Sequence, residues 1–345
     1  MSSIQDVAAL AKVSTATASR ALSRPEMVAD STRARVMKAA QQLGYQPNVL
    51  ARSLRQRETR TIGLIVADIL NPFHALLAKG VQDTADAHGY VTFLFNSDEQ
   101  PDKEARAIET LRGHLPQGLI IVPTSGTREH LKSLPHLPVV ELDRVSGNPQ
   151  ALTVTVDNLG GAAAATAHLI ELGHRRIGMI VGQLDISTSV ERHAGYRSAL
   201  EAAGLAYDPA LVRLGQHRED DGHRAALELL SLPIPERPTA LFVGNNEMTV
   251  GAVLAARELG LRIPEDLSIV GFDDSRWAQT MSPPLTVISQ PAYSLGAHAC
   301  EQLLAQLARE RPGPVPRVQL PTELIIREST GPPPVPLLPL LLSSS

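Results

Sequence analysis

Cysteine is nearly absent. Cys300 is the only one in 345 residues, which excludes an intrachain disulfide and a cysteine-based metal site. No segment approaches the ~18 consecutive apolar residues that a membrane span needs. The start of the chain gives no secretion signal, because Ser2, Ser3, Gln5 and Asp6 interrupt any apolar run. Together these absences point to a cytoplasmic protein with no membrane partner. Enzyme signatures are missing too. Gly160-Gly161 lacks the spacing of a phosphate loop. Serine, histidine and aspartate occur without a nucleophile elbow. The 11 histidines include no helix-borne pair with the carboxylate of a zinc protease. The chain reads as a non-enzyme that calls for no metal or cofactor.

What is present starts with an uneven charge. The net charge of -4 hides a basic head: residues 1–60 hold 10 Lys and Arg against 4 Asp and Glu, a net +6. The remaining 285 residues carry a net -10, which fits a nucleic-acid-binding head on a body with another task. Within the head, Ser3 is placed to cap a first helix with Asp6 as its capping-box partner, and Val7, Leu10 and Ala11 form an apolar face. Val13-Ser14 makes a tight turn. Ser14 caps a second helix with Thr17 at the third helical position, and Ala18, Ala21 and Leu22 turn inward. A third helix follows Asp30-Ser31, with Val36, Ala39, Ala40 and Leu43 on one face, and Gly44 stops it. Two short helices meeting at such a turn are a helix-turn-helix, so the expected partner is duplex DNA.

Beyond the head the pattern changes. Residues 47–60 form a linker whose helical composition is too short to be stable alone. From Thr61 onward, apolar runs suited to buried parallel strands alternate with helical stretches near 73–88, 101–114, 158–172, 191–203, 219–231, 246–259 and 292–309. The runs begin at Ile62, Val91, Gly118, Val139, Ile177, Ala240 and Leu267. Strand and helix repeated this way mean an α/β body with doubly wound parallel sheets, and a second series after Asp157 suggests two similar subdomains. Ligands in such sheets sit beyond the carboxyl ends of the strands. The Pro-rich, Leu-rich tail 331–345 fits none of this and is expected to be disordered.

The chain closely resembles the LacI/GalR family of bacterial transcription repressors over roughly residues 3–329. Ile4-Gln5-Asp6-Val7-Ala8 and Val13-Ser14-Thr15-Ala16-Thr17-Ala18-Ser19-Arg20 resemble the family's head, and Gly44-Tyr45-Gln46-Pro47-Asn48 with Ala51-Arg52-Ser53-Leu54 its hinge. Asn71-Pro72-Phe73, Gly173-His174-Arg175-Arg176-Ile177, Ile263-Pro264-Glu265-Asp266 and Gly271-Phe272-Asp273-Asp274 resemble its core. The resemblance implies a periplasmic-binding-protein-like core that holds an effector between two subdomains, with three crossings between them. The expected boundaries are a helix-turn-helix domain over 1–46, a hinge over 47–60 and a core over 61–330. The first subdomain takes about 61–158 and 290–317, the second about 159–289 and 318–330.

The resemblance also assigns roles. Thr15, Ala16 and Arg20 stand near the start of the second helix and are the expected base readers. Arginine can bind guanine through two hydrogen bonds, worth ~1–3 kcal/mol of discrimination. Ser14, Thr17, Ser19 and Asn48 suit phosphate or sugar, and Ala51 joins them in the hinge. Leu54 occupies the place of the family's minor-groove wedge, with Arg55 beside it. Phe73, Asp143, Arg192, Asn245 and Asp273 are expected to converge on the effector, with His217 and Gln290. That set suits a small polyol: carboxylates accept from hydroxyls, Arg192 and Asn245 donate, and a ring covers an apolar face. His217 stands where many relatives carry an aromatic ring. Asn246 stands where an acid is common, so the site loses one acceptor-only carboxylate.

The reading is a homodimeric repressor of near-palindromic double-stranded operator DNA, controlled by a sugar or sugar derivative. A nucleobase effector is the alternative within the family. A solute-binding transport component would explain residues 61–329 but not the basic head. A tetramer is not expected, because the tail lacks a leucine heptad with charged flanks.

Overall fold

A computed structural model describes residues 2–23, 27–45, 59–149, 151–308 and 317–334. The chain divides into a head, residues 1–59, and a body from Arg60 onward.

The head contains α1 (Ile4–Ala11), α2 (Thr15–Ser23) and α3 (Asp30–Gln42). Local chemistry starts each of the first two. Ser3 Oγ accepts from Asp6 N while the Asp6 carboxylate accepts from Ser3 N at 2.7 Å, a complete capping box. Ser14 Oγ accepts from Thr17 N at 3.1 Å. Gly44 ends α3 with φ +58°, and Tyr45 N then donates back to Ala40 O at 2.9 Å. Leu10 departs from expectation: it is 48% exposed, and Ala8 takes its place inside. At 100° per residue, Val7, Ala8 and Ala11 share one face of α1 while Leu10 points well away from it. The buried cluster comprises two valines and six alanines. Side chains this small let the helices approach closely but remove little apolar area from water, so the head gains little stability from its core.

The body holds two six-stranded sheets. The first is built from β1 (Thr61–Val66), α4 (Pro72–Ala87), β2 (Val91–Asn96), α5 (Pro101–Gly113), β3 (Gly118–Ile121), α6 (Thr127–His130), β4 (Val139–Leu142) and β5 (Leu152–Val156). The second follows with α7 (Asn158–Glu171), β6 (Ile177–Val181), α8 (Ser187–Ala202), β7 (Val212–Leu214), α9 (Glu219–Leu230), β8 (Ala240–Val243), α10 (Asn246–Glu258), β9 (Ser268–Phe272), α11 (Arg276–Thr280) and β10 (Thr286–Ser289). The chain then returns through α12 (Ala292–Leu307) and β11 (Arg317–Leu320) before ending in β12 (Glu323–Ile325). Strand orders are β11-β5-β4-β3-β1-β2 and β12-β10-β9-β8-β6-β7. Among the described residues every strand pairing is parallel except β10 with β12. The central strands are buried on both faces by helices, which is why they read as unbroken apolar runs.

Two boundaries shift from those expected. β11 pairs with β5 in the first sheet, Val318 opposite Val154, so the third crossing lies after Leu320 rather than at 317. The tail does not depart from the fold at 331. Gly331 N donates to Ser268 Oγ at 3.0 Å, and the buried ring of His174 meets Gly331 O at 2.9 Å. Residues 335–345 lie outside the described residues. The short strands β5, β7, β10, β11 and β12 have no counterpart among the expected runs. Threonine interrupts the apolar run in β5 and opens β10, where Thr153 and Thr286 are nonetheless buried.

Candidate DNA face and effector cleft

On the head, the exposed side of α2 carries the expected readers. Thr15, Ala16 and Arg20 are exposed, whereas Ala18 and Ala21 on the opposite side are buried. Ser14 is exposed, and its hydroxyl lies 2.8 Å from that of half-buried Thr17. Ser19 is half-buried. One face thus offers hydroxyls, a methyl group and a guanidinium, the groups that contact phosphates and base edges. Asn48, Ala51, Leu54 and Arg55 lie outside the described residues.

In the body, the seven expected effector residues line one cavity between the two sheets. Strand ends place most of them. Asp143 follows β4, and it is the centre of a three-residue turn in which Arg144 N donates to Leu142 O at 2.7 Å. Its φ of +67° makes this the strained form of that turn. Asp273 follows β9 at φ +82°, and His217 follows β7 at φ +63°. With Glu99 at φ +59°, four non-glycine residues in left-handed backbone at one site mark a place where the surrounding fold holds strain. Gly182, after β6, supplies the room: a Cβ there would come within 2.0 Å of His217 Nε2.

The charged groups are buried and mostly engaged with one another. Arg192 Nε donates to Asn158 Oδ1 at 2.8 Å and Nη1 to Gly244 O at 2.5 Å, and the guanidinium lies 3.6 Å from the centre of the Phe272 ring. Arg144 grips Glu99 with two hydrogen bonds, 2.6 and 2.7 Å. Burial alone would raise the Glu99 carboxyl, but the Arg144 charge and those bonds hold it at about 2. Asp143 shows the opposite balance. Burial outweighs the attraction of Arg144 and Arg192 and lifts its carboxyl to about 6. Burial raises Asp273 too, against the pull of Arg192. Gln290 Nε2 and Asn246 N both donate to the Asp273 carboxylate. Asn245 caps α10 by accepting from Met248 N at 2.9 Å, and its amide donates to His217 O at 3.1 Å. Its donor role toward a ligand is therefore reduced to one remaining N–H.

Several residues of the cavity wall escape a reading of the sequence. His74, 3% exposed, meets Asp68 O through Nδ1 at 3.1 Å, which places the proton on Nδ1 and leaves Nε2 an acceptor. Burial, then the nearby Arg144 charge, pushes its pKa down to about 4, and the same causes push half-buried His217 to about 3. Both rings are neutral at pH 7. Asn246 does more than omit a carboxylate. Its amide and that of Asn71 exchange two hydrogen bonds of 3.0 Å across the cleft, joining α10 to the start of α4. An aspartate at 246 would place two acceptors face to face there. Arg218 Nη2 to Asp98 O at 3.3 Å and Val145 N to Ser187 Oγ at 2.9 Å span the same gap. The enclosed space is only about 30 Å³, and a second hollow of about 290 Å³ adjoins it through Glu99, His217 and Arg218. The phenylalanine of the Asn71-Pro72-Phe73 motif was legible, and Asn71 could have been read from its position before Pro72; nothing local marks Glu99 or Arg144.

Known proteins share both parts. The model for bacterial regulatory proteins of the lacI family matches residues 3–48, and that for a periplasmic binding protein-like domain matches residues 166–330. The HTH-type transcriptional repressor CytR of Escherichia coli (strain K12) is 38% identical over 331 residues, 95% of this chain and 96% of that protein. A Lac repressor dimer bound to operator and the anti-inducer ONPF superposes with a TM-score of 0.85 at 27% identity, covering 96% of this chain and 99% of that one. The transcriptional regulator CelR in complex with cellobiose superposes at 0.72 with 34% identity, covering 95% and 100%. With nearly its whole length matched to a relative this similar, the chain belongs to the lacI family of bacterial regulatory proteins.

Proposed function

We propose that this protein is a cytoplasmic, homodimeric transcriptional repressor that binds a near-palindromic operator and is controlled by a small molecule held between its two sheets. The observation that carries this reading is a conjunction in one chain. A helix-turn-helix presents Thr15, Ala16 and Arg20 to solvent, and a buried cavity gathers Phe73, Asp143, Arg192, His217, Asn245, Asp273 and Gln290. Arg20 reads a base, Ser14, Thr17 and Ser19 fix the head on the backbone, and the hinge works through Asn48, Ala51, Arg55 and a Leu54 wedge. A Lac repressor structure carries operator and a ligand together, and the relatives are regulators, not enzymes. A sugar is the favoured effector, supported by the cellobiose complex of CelR.

The mechanism follows from the latch across the cleft. Seating a ligand displaces the Asn71–Asn246 pair and changes the angle between the sheets. A coupling of ~1–3 kcal/mol is enough to shift a marginal hinge. The test is fluorescence anisotropy with DNA from upstream of the protein's own gene, with and without candidate ligands. The expected result is nanomolar binding of that duplex that a ligand alters at least tenfold. Equal affinity for unrelated DNA would overturn the repressor reading. A Leu54→Ala variant is expected to bend the operator less, as gel mobility of circularly permuted fragments reports.

A further inference from the structure

The cavity has a chemical bias that narrows what it accepts. Three buried atoms of its wall have no hydrogen-bond partner: Asp143 Oδ1, Gln290 Oε1 and His74 Nε2. All three are acceptors, given the Nδ1 proton of His74. One donor, Arg144 Nε, shares this state, but it lies 3.7 Å from Asp143 Oδ2 and is already engaged electrostatically. Arg144 gives Nη1 to Glu99 and Pro123 O and Nη2 to Glu99, and Arg192 gives Nε to Asn158 and Nη1 to Gly244 O. Buried acceptors without partners are costly, so a well-matched ligand supplies donors to them. An anionic ligand group meets the Asp143 and Asp273 carboxylates, both less than a tenth exposed, and brings no donors to the three acceptors. The adjoining hollow does not relieve this. Asp98, Glu99 and Asp185 line it against Arg218, whose guanidinium already donates to Asp98 O.

Resting on the effector-controlled reading above, we propose that the effector carries no negative charge and is rich in hydrogen-bond donors. A free sugar, glycoside or nucleoside fits; its phosphate ester or uronic acid does not. His74 is a specificity residue that accepts a ligand hydroxyl or amino proton through Nε2. Its place in the wall fits this role. The ring is locked by Asp68 O on one side and packs edge-on against Phe73, with ring centres 5.3 Å apart.

The test is a matched-pair binding screen on the full-length dimer by thermal shift and calorimetry. The probes are D-ribose against ribose 5-phosphate, D-glucose against glucose 6-phosphate and glucuronate, and adenosine and uridine against their 5′-monophosphates. The expected result is binding by at least one uncharged member, with its anionic partner at least 100-fold weaker. For that ligand, His74→Phe should weaken binding at least tenfold, and His74→Gln, which restores an acceptor, should recover part of the loss. Circular dichroism and urea denaturation at pH 7 of all three proteins separate ligand recognition from misfolding. An anion that binds as tightly as its uncharged partner overturns the proposal while leaving an effector-controlled repressor. Equal affinity in wild type and His74→Phe removes His74 from the specificity set. If no probe binds and none alters operator affinity, the effector reading falls, and this proposal with it.

Discussion

The head and the cleft use polar chemistry in opposite ways. In the head Ser14, Thr15, Ala16 and Arg20 are exposed, the capping hydrogen bonds span three residues, and the core beneath them is mostly alanine. In the cleft the functional groups are buried, several are ionised, and partners come from as far as 175 residues away in the chain. The head contacts a large charged polymer and needs little preorganised burial, because phosphate contacts supply affinity. The cleft must recognise a small molecule with few contacts, so each must be held rigidly and away from water.

This contrast can be broken most sharply at Arg192. Replacing it by alanine leaves Asn158 Oδ1 and Gly244 O without their donor and exposes Asp143 and Asp273 to mutual repulsion. Loss of one partner from a buried ionic cluster costs about 3–5 kcal/mol. We expect the body to melt at lower temperature and the effector response to vanish, while operator affinity of the folded fraction persists. Chemical denaturation together with ligand titration of operator binding checks both. A variant with unchanged stability and response would show that the cleft is no more tightly built than the head.

Acid gives the next largest effect, and its sign follows from His74. Its imidazole titrates near 6.5 when unfolded and near 4 when folded. Below pH 6.5 the unfolded chain therefore takes up a proton that the folded chain refuses, and stability falls as pH drops toward 4. At pH 5 the loss from this ring is about 2 kcal/mol. Asp143 acts in the other direction, because its carboxyl is raised to about 6 and protonates earlier in the folded state. Comparing wild type with His74→Phe isolates the ring. The variant should lose less stability between pH 7 and pH 5, measured by urea denaturation at each pH. Parallel curves would place His74 in contact with water.

On the head, Arg20→Ala should cost about 1–3 kcal/mol at one base pair of the operator and leave binding elsewhere unchanged. A uniform loss over all sequences, with a shallower salt dependence, would make Arg20 a phosphate contact. The smallest effect belongs to Ser14→Ala, which removes the cap of α2. It should destabilise the head by about 1 kcal/mol and leave effector affinity unaltered, as separate melting of head and body would report.

Legibility in the sequence tracks these same distances. The caps at Ser3 and Ser14, the stop at Gly44 and the long apolar strands were readable because their causes lie within a few residues. Leu10 was misjudged because apolar character alone does not say which side of a short helix meets its neighbours. β5 and β10 were missed because threonine hides a buried strand. In the cleft, the family resemblance pointed to Asp143 and Asp273, which follow β4 and β9, but not to His74, Glu99 and Arg144, since their meaning depends on what faces them.

The sequence by itself determined the helices of the head, the alternation of strand and helix in the body, and the family. Those follow from periodicity, capping and motif, all local properties of the chain. The tertiary structure decided that β11 closes the first sheet, that Asn71 and Asn246 clasp across the cleft, and that the wall leaves acceptors without partners. Each of these depends on which distant residues are brought face to face and then removed from water. Burial changes the value of a charge or a lone pair, and no spacing along the chain encodes it.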